Sequence, residues 1–490
     1  MTLHFRTKPL RLLASLLVAV PAVAWAGASP APTSAPAPAS APDEITATPN
    51  ATQVGRLPYR GGTDLEITKI AGRRYVVGGA QNNYNPTEDP GVRIVDVTNP
   101  AKPKVAGYLP CNTSQNDVQV KGSFVYLAVD FNQRAQKLER EDCFSQLGPD
   151  QPIAGGVVVI SIANPRRPRA VGFVKVPGAA HNTTIHPSKP FLYVSDSETA
   201  TNTEVHVVDV AKPSAPVLVR STELSPGDAV HDISFNLTGD RAYVASSFTH
   251  TAIVDTTDPL APKLISRIQD PAINFHHQAE PTRDGKFLII SDELAGAEGL
   301  LFCPGGGLHV YDLANEAMPR KIGAYYIPES FVETRDTNNG PRPVENDAFR
   351  PFRCTAHVMQ MNPDGKRLTM AWYSQGIQVL DISNLTGVSA GAQGTAVPMG
   401  IQRIAAWKVR LGDAWSAKMD DRGIVYTGDT ARGMDIVRVT QPTRAERAQI
   451  DPGSWLSPAE SLARGLRDKA AAGPTTYFCF DRTYRAGLAT

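Results

Sequence analysis

His231-Asp232-Ile233-Ser234-Phe235 runs into Asn236-Leu237-Thr238-Gly239-Asp240 and then into Arg241-Ala242-Tyr243-Val244-Ala245. The stretch reads as strand, turn, strand: apolar and polar residues alternate, Thr-Gly-Asp marks the turn, and a second apolar run follows. The unit recurs as HNTTIHPSKPFLYVS (181–195), HQAEPTRDGKFLIIS (277–291) and HVMQMNPDGKRLTMA (357–371). In three of the four copies a glycine (Gly239, Gly285, Gly365) stands eight residues after the opening His. His181, His231, His277 and His357 therefore hold one register in successive repeats.

Three further copies lack the His and open on Thr63, Asn116 and Trp415, which brings the strand pairs to seven. A second signal is an apolar strand: VRIVDV (92–97), VVVISI (157–162), VHVVDV (205–210), TAIVDT (251–256), LHVYDL (308–313), IQVLDI (377–382) and MDIVRV (434–439). A third, shorter strand follows after turns rich in Pro, such as Pro100 and Pro103 or Pro213 and Pro216, because proline ends strands and forms turns. Four strands per unit, repeated at roughly 60-residue spacing, predict an all-β, seven-bladed β-propeller over residues 50–440. Only six third-type strands follow a second-type strand. The seventh, VGRLPY (54–59), precedes the first repeat, so the last blade is expected to take its outer strand from the N-terminal end, hiding a sheet edge.

The ends differ from the repeats. Arg6, Lys8 and Arg11 before the apolar run Leu12–Ala24 and Ala24-Trp25-Ala26 predict a cleaved secretory signal over 1–26, with no transmembrane segment after it. Residues 27–48 are rich in Ala, Pro and Ser and read as a linker. Residues 441–490 form a C-terminal extension, with a short helix predicted after Ser457-Pro458. The predicted location is periplasmic or extracellular, including the cell surface, and the chain is expected to be a monomer. A net charge of +1 gives no basis for nucleic-acid binding.

Export makes disulfides available to the five cysteines, and no two share a thiolate-cluster spacing. Their positions around the second and the fifth-to-sixth blades predict Cys111–Cys143 and Cys303–Cys354, leaving Cys479 over. Each bridge would pin a long insertion. The insertions (131–155, 294–307 and 328–353) fall on the D-to-A and B-to-C side of the blades, the face expected to bind partners.

VRIVDVTNPAKPKVAGYL (92–109), VHVVDVAKPSAPVLVRST (205–222) and TAIVDTTDPLAPKLISRI (251–268) resemble the LVIVD-repeat family of exported or surface bacterial proteins. The resemblance implies the propeller fold and, for function, a binding module that takes a protein, peptide, glycan or small molecule on the loop-rich face. A looser, architectural likeness to selenium-binding-protein-type methanethiol oxidases implies channel histidines, copper and an oxidase activity.

The four histidines open strand A of blades three to six, at the channel rim. As imidazoles converging on one axis they are candidate ligands for one transition-metal ion, copper favoured, with Glu280, Asp292 and Glu293 as acceptors that orient the rings. His250 and His276 lie near the same rim. The alternative is that each His was copied with its repeat and caps a strand start. His206 and His309 read as packed residues, and His186 as a solvent-facing turn residue. The recurrent Asp96, Asp209, Asp255, Asp312 and Asp381 are expected to bond a neighbouring blade. The acidic run 336–347 lacks a calcium-loop pattern. No hydrolase, kinase or dinucleotide motif is present.

Overall fold

A computed structural model describes residues 44–81, 89–113, 115–130, 138, 140–148, 155–196, 203–224, 227–293, 305–331, 354–385, 400–410, 412–447, 449–450 and 453–472. Within these, seven antiparallel sheets form a seven-bladed β-propeller. Blade four shows how the sequence builds each one. Its strands A to D are Asp232–Phe235, Arg241–Ser246, His250–Asp255 and Lys263–Ile268. Strands A and B are joined by a turn in which Gly239 takes φ +77°, a conformation that suits glycine. A Cβ there would also strike the His186 ring of blade three.

Blade seven closes the ring as expected. Its strands Ala414–Met419, Ile424–Asp429 and Gly433–Val439 receive Ala51–Pro58 as the outer strand, paired from Ala51 opposite Val439 to Pro58 opposite Gly433. Two blades gain a fifth strand that the sequence did not announce. Ile45–Ala47, from the end of the predicted linker, pairs with Gln402–Val409 of blade six. Ser454–Leu456 pairs with Arg320–Tyr326 of blade five. The helix Pro458–Ala472 follows, capped by Ser457 and Glu460, each accepting the other's backbone N–H. Arg464 of this helix donates to the Ser330 carbonyl at 2.8 Å, and Ser461 accepts from Lys321 at 3.0 Å. The extension is thus fastened to blade five.

The apolar core lies between blades. Tyr243 and Ile253 of blade four pack with Leu288, Ile290 and Tyr311 of blade five, all buried. Each such side chain contributes roughly 1.5–3 kcal/mol. Side chains near the axis are free of that packing duty, and there the polar residues collect.

The C-strand aspartates do not reach a neighbouring blade's backbone, contrary to expectation. Asp96, Asp209, Asp255, Asp312 and Asp381 each accept the backbone N–H two residues further on, at 2.8–3.0 Å. This turn ends the strand locally. Cys111 and Cys143 form the expected disulfide, Cys143 opening a one-turn helix in its insertion. Cys354 is disulfide-bonded as well; Cys303 and Cys479 lie outside the described residues, as do the predicted signal, most of the three insertions and the run 336–347. Among the described residues no helix is long and apolar enough to cross a membrane.

Candidate metal centre in the channel

The four histidines converge, and they do so inside the channel; all four are buried. In blades three, four and six the His backbone N–H bonds the carbonyl at the end of strand B: His181 to Ser195, His231 to Ala245, His357 to Ala371. Blade five departs from this. Its strand A, His276–Pro281, carries a bulge between His276 and Gln278, so the extra residue is His277 itself. A bulge re-aims one side chain, and here it turns His277 into the row.

Ring centroids step along the row at 4.6 Å from His181 to His231, 4.5 Å to His277 and 4.2 Å to His357. His231 Nδ1 lies 2.9 Å from the His277 carbonyl, and His357 Nδ1 lies 2.5 Å from the Trp415 carbonyl. A carbonyl can only accept, so both Nδ1 atoms carry the proton and both Nε2 atoms present a lone pair. This is the arrangement in which metal-binding histidines are commonly held.

Glu293 joins the row directly instead of standing behind it. Its Oε2 is 3.8 Å from His277 Nε2, its Oε1 is 3.6 Å from His357 Nε2, and the Tyr373 hydroxyl donates to Oε1 at 2.5 Å. His231, His277 and Glu293 each offer a ligand atom, and the three atoms lie within 4.8 Å of one another. Ligands around one ion lie at most about 4.2 Å apart, so small side-chain rotations complete the set. Two imidazoles and a carboxylate suit a first-row transition ion. Charge states agree with that chemistry. Burial, reinforced by neighbouring histidines, holds His231 and His277 well below the ordinary imidazole pKa. Neutral rings are what a metal requires. At the far end, burial opposes protonation of His181, but Asp130, with its carboxylate 3.5 Å from Nδ1, raises the pKa on balance. His181 Nε2 sits 3.1 Å from His231 Nε2.

The chain carries an LVIVD repeat. Residues 185–223, which run from the first strand of blade three to its last, match that repeat. No curated protein matches the chain. Among solved structures it is similar to a protein of unknown function from Desulfotomaculum acetoxidans (15% identity, 70% of this chain and 88% of that one, TM-score 0.45). It is also similar to the β-propeller domain of Cps50 (Swd1) from Myceliophteria thermophila (12% identity, 81% of this chain and 100% of that one, TM-score 0.47).

The other candidate residues of this LVIVD-repeat propeller fall elsewhere. Asp292 does not orient a ligand ring: its Oδ1 accepts the backbone N–H groups of Asn274 and Phe275 at 3.2 and 3.0 Å. Asp196 and Asp429, at the same place in blades three and seven, accept from Ala179 and Asp413 at 2.9 and 2.8 Å. Asp292 thus belongs to a repeated strut that fixes the segment entering strand A. Glu280 lines a separate chamber further along the channel. His276 bonds Thr251 through Nδ1 at 2.9 Å, and His250 bonds Thr249 at 2.7 Å, so neither joins the row. His206 and His309 are packed as expected. His186 is buried beneath the blade-four turn, not solvent-facing, with Nδ1 accepting from Lys189 N at 3.1 Å.

Sequence reasoning missed Tyr373, Trp415 and Asp130 as members of the site. Tyr373 carried a usable signal only in retrospect: it sits in WYSQG, a B-to-C turn, and takes φ +41°, a left-handed conformation that costs a tyrosine energy. The turn is held in that shape while the hydroxyl reaches Glu293 across the blade boundary.

Proposed function

We propose that this protein is an exported metal-binding propeller that holds one transition-metal ion in its channel through His231, His277 and Glu293, with His357 and His181 flanking. The observation that carries this reading is the convergence of two neutral imidazoles and a buried carboxylate from blades four and five within reach of one ion. Three protein ligands leave positions open, which suits a centre that binds or activates a small molecule more than a closed structural site. The row faces a cavity of about 20 Å³, room for roughly one water-sized group. An oxidase activity with copper is one use of such a centre, and the donor set is compatible with copper, iron or zinc. The Cys111–Cys143 disulfide and the signal-like residues 1–26 support the periplasm or cell exterior. Partner binding through the loop-rich face draws its support from the sequence alone.

The test is metal analysis of protein purified from the periplasm and of apo-protein titrated with copper(II), zinc(II) and iron(II). One equivalent bound by wild type, and lost in His231→Ala/His277→Ala and in Glu293→Gln, is the expected result. A folded wild type that takes up none of the three ions overturns the proposal.

A further inference from the structure

A second, larger cavity of about 250 Å³ lies in the channel on the side of the A-to-B turns. It adjoins the histidine cavity: Asp117, Asn182, Asp232 and Val358 form walls of both. Five carboxylates line the chamber, Asp64 and Glu66 from blade one, Asp117 from blade two, Asp232 from blade four and Glu280 from blade five, against a single lysine, Lys418. Lys418 is already committed, with Nζ 2.9 Å from Glu66 and 3.6 Å from Asp64. That leaves Asp117, Asp232 and Glu280 without an ion-pair partner among the described residues. Asp232 is the most telling of the three. It is 7% exposed, its Oδ1 accepts the Ile233 N–H at 2.7 Å, and among the described residues nothing donates to its Oδ2. That oxygen is left to accept a hydrogen bond from whatever occupies the chamber.

We infer that this chamber binds a small aliphatic di- or polyamine, its ammonium groups donating to carboxylates on opposite sides of the channel. A bare metal ion does not fit the same walls. Among the described residues the one group of three ligand atoms close enough to share an ion is His231, His277 and Glu293, so no three chamber carboxylates can surround one. A chain with charged ends can span them. Phe235, Ile185 and Met359 give its methylenes apolar wall, and Gln119 and Gln278 offer further polar contacts. A cavity of this size excludes most drug-sized ligands.

The inference goes beyond the metal reading and does not depend on it, because the amine is held by the chamber whether or not the histidines carry an ion. The experiment is calorimetric titration of the full chain, stripped of metal with chelator, with 1,4-diaminobutane, butylamine and calcium chloride. The diamine is expected to bind with 1:1 stoichiometry, at least tenfold more tightly than butylamine. Asp232→Asn and Glu280→Gln, each checked for wild-type melting behaviour, are each expected to weaken it at least tenfold. No diamine binding, equal binding by both folded variants, or stoichiometric calcium binding that excludes the diamine overturns the inference. Metal uptake measured on the same samples reports on the histidine site separately.

Discussion

Glu293 and Asp292 are neighbours in sequence with different fates, and the difference marks what single residues in this chain disclose. The four histidines were legible because a repeat register shows which positions share a place in space. Glu293 was legible only as an acceptor near them; that it enters the row depends on the curl of the chain after strand B of blade five. Asp292 looked like site chemistry because it stands beside Glu293 at the end of strand B, although Asp196 and Asp429 close strand B in the same way. Its partners show it to be a strut, and Asp429 plays the same part in blade seven, away from the histidines. Burial first, then the charges of Asp413 and Asp435, push the Asp429 carboxyl up to about 7. A raised acid pKa means the folded state prefers the protonated form. The stabilisation is therefore complete below about pH 4, the ordinary range of an aspartate, and is lost as pH rises through about 7. Each tenfold change of acidity across that window is worth roughly 1.4 kcal/mol. Asp429→Asn, which cannot ionise, is expected to flatten the fall in melting temperature between pH 4 and 7. Calorimetric scans of both proteins decide it, and parallel pH profiles would rule the account out.

At the level of elements, strands and turns were readable because alternation and turn residues act locally, whereas bulges and cross-blade clamps are not local. His277 opens the same strand–turn–strand unit as its counterparts, yet only the bulge between His276 and Gln278 brings it into the row. The same holds for the fifth strands Ile45–Ala47 and Ser454–Leu456, whose partners lie hundreds of residues away or in another blade's outer edge. The disulfide was readable from position. Cys111 and Cys143, separated by 32 residues and buried, tie the one-turn helix Cys143–Gln146 to the segment entering blade two. Closing a loop of that length stabilises by roughly 3–4 kcal/mol on the chain-entropy account. The double variant Cys111→Ser/Cys143→Ser is expected to lose about that much in guanidinium unfolding, and reductant should move wild type towards it. A double variant as stable as the wild type would show that packing around Phe144 alone holds the insertion.

For the whole molecule, seven strand pairs against six following outer strands were enough to foresee that the ring closes on itself. The acidic chamber was not foreseeable, since its carboxylates come from four blades and share no repeat position that the sequence marks. Closure is what holds the acidic chamber together, because a ring open between blades seven and one would part Lys418 from Asp64 and Glu66. The lock is Ala51–Pro58, hydrogen-bonded along Gly433–Val439, with Asn50 donating to the Thr440 and Ile404 carbonyls at 2.8 and 3.0 Å. A chain lacking residues 44–59 leaves Gly433–Val439 as an unpaired edge in a sheet whose neighbours are already paired, the configuration that promotes edge-to-edge association. Such a chain is expected to unfold at lower temperature, to self-associate, and to lose amine binding. A synthetic peptide of residues 44–59 added in trans should restore the melting transition, because the missing piece is a strand and not a covalent link. Light scattering and thermal melts with and without the peptide test this. A truncated chain that stays monomeric and melts like the full one would place the ring's stability in the packing between blades, and closure would then be a consequence of the fold and not its lock.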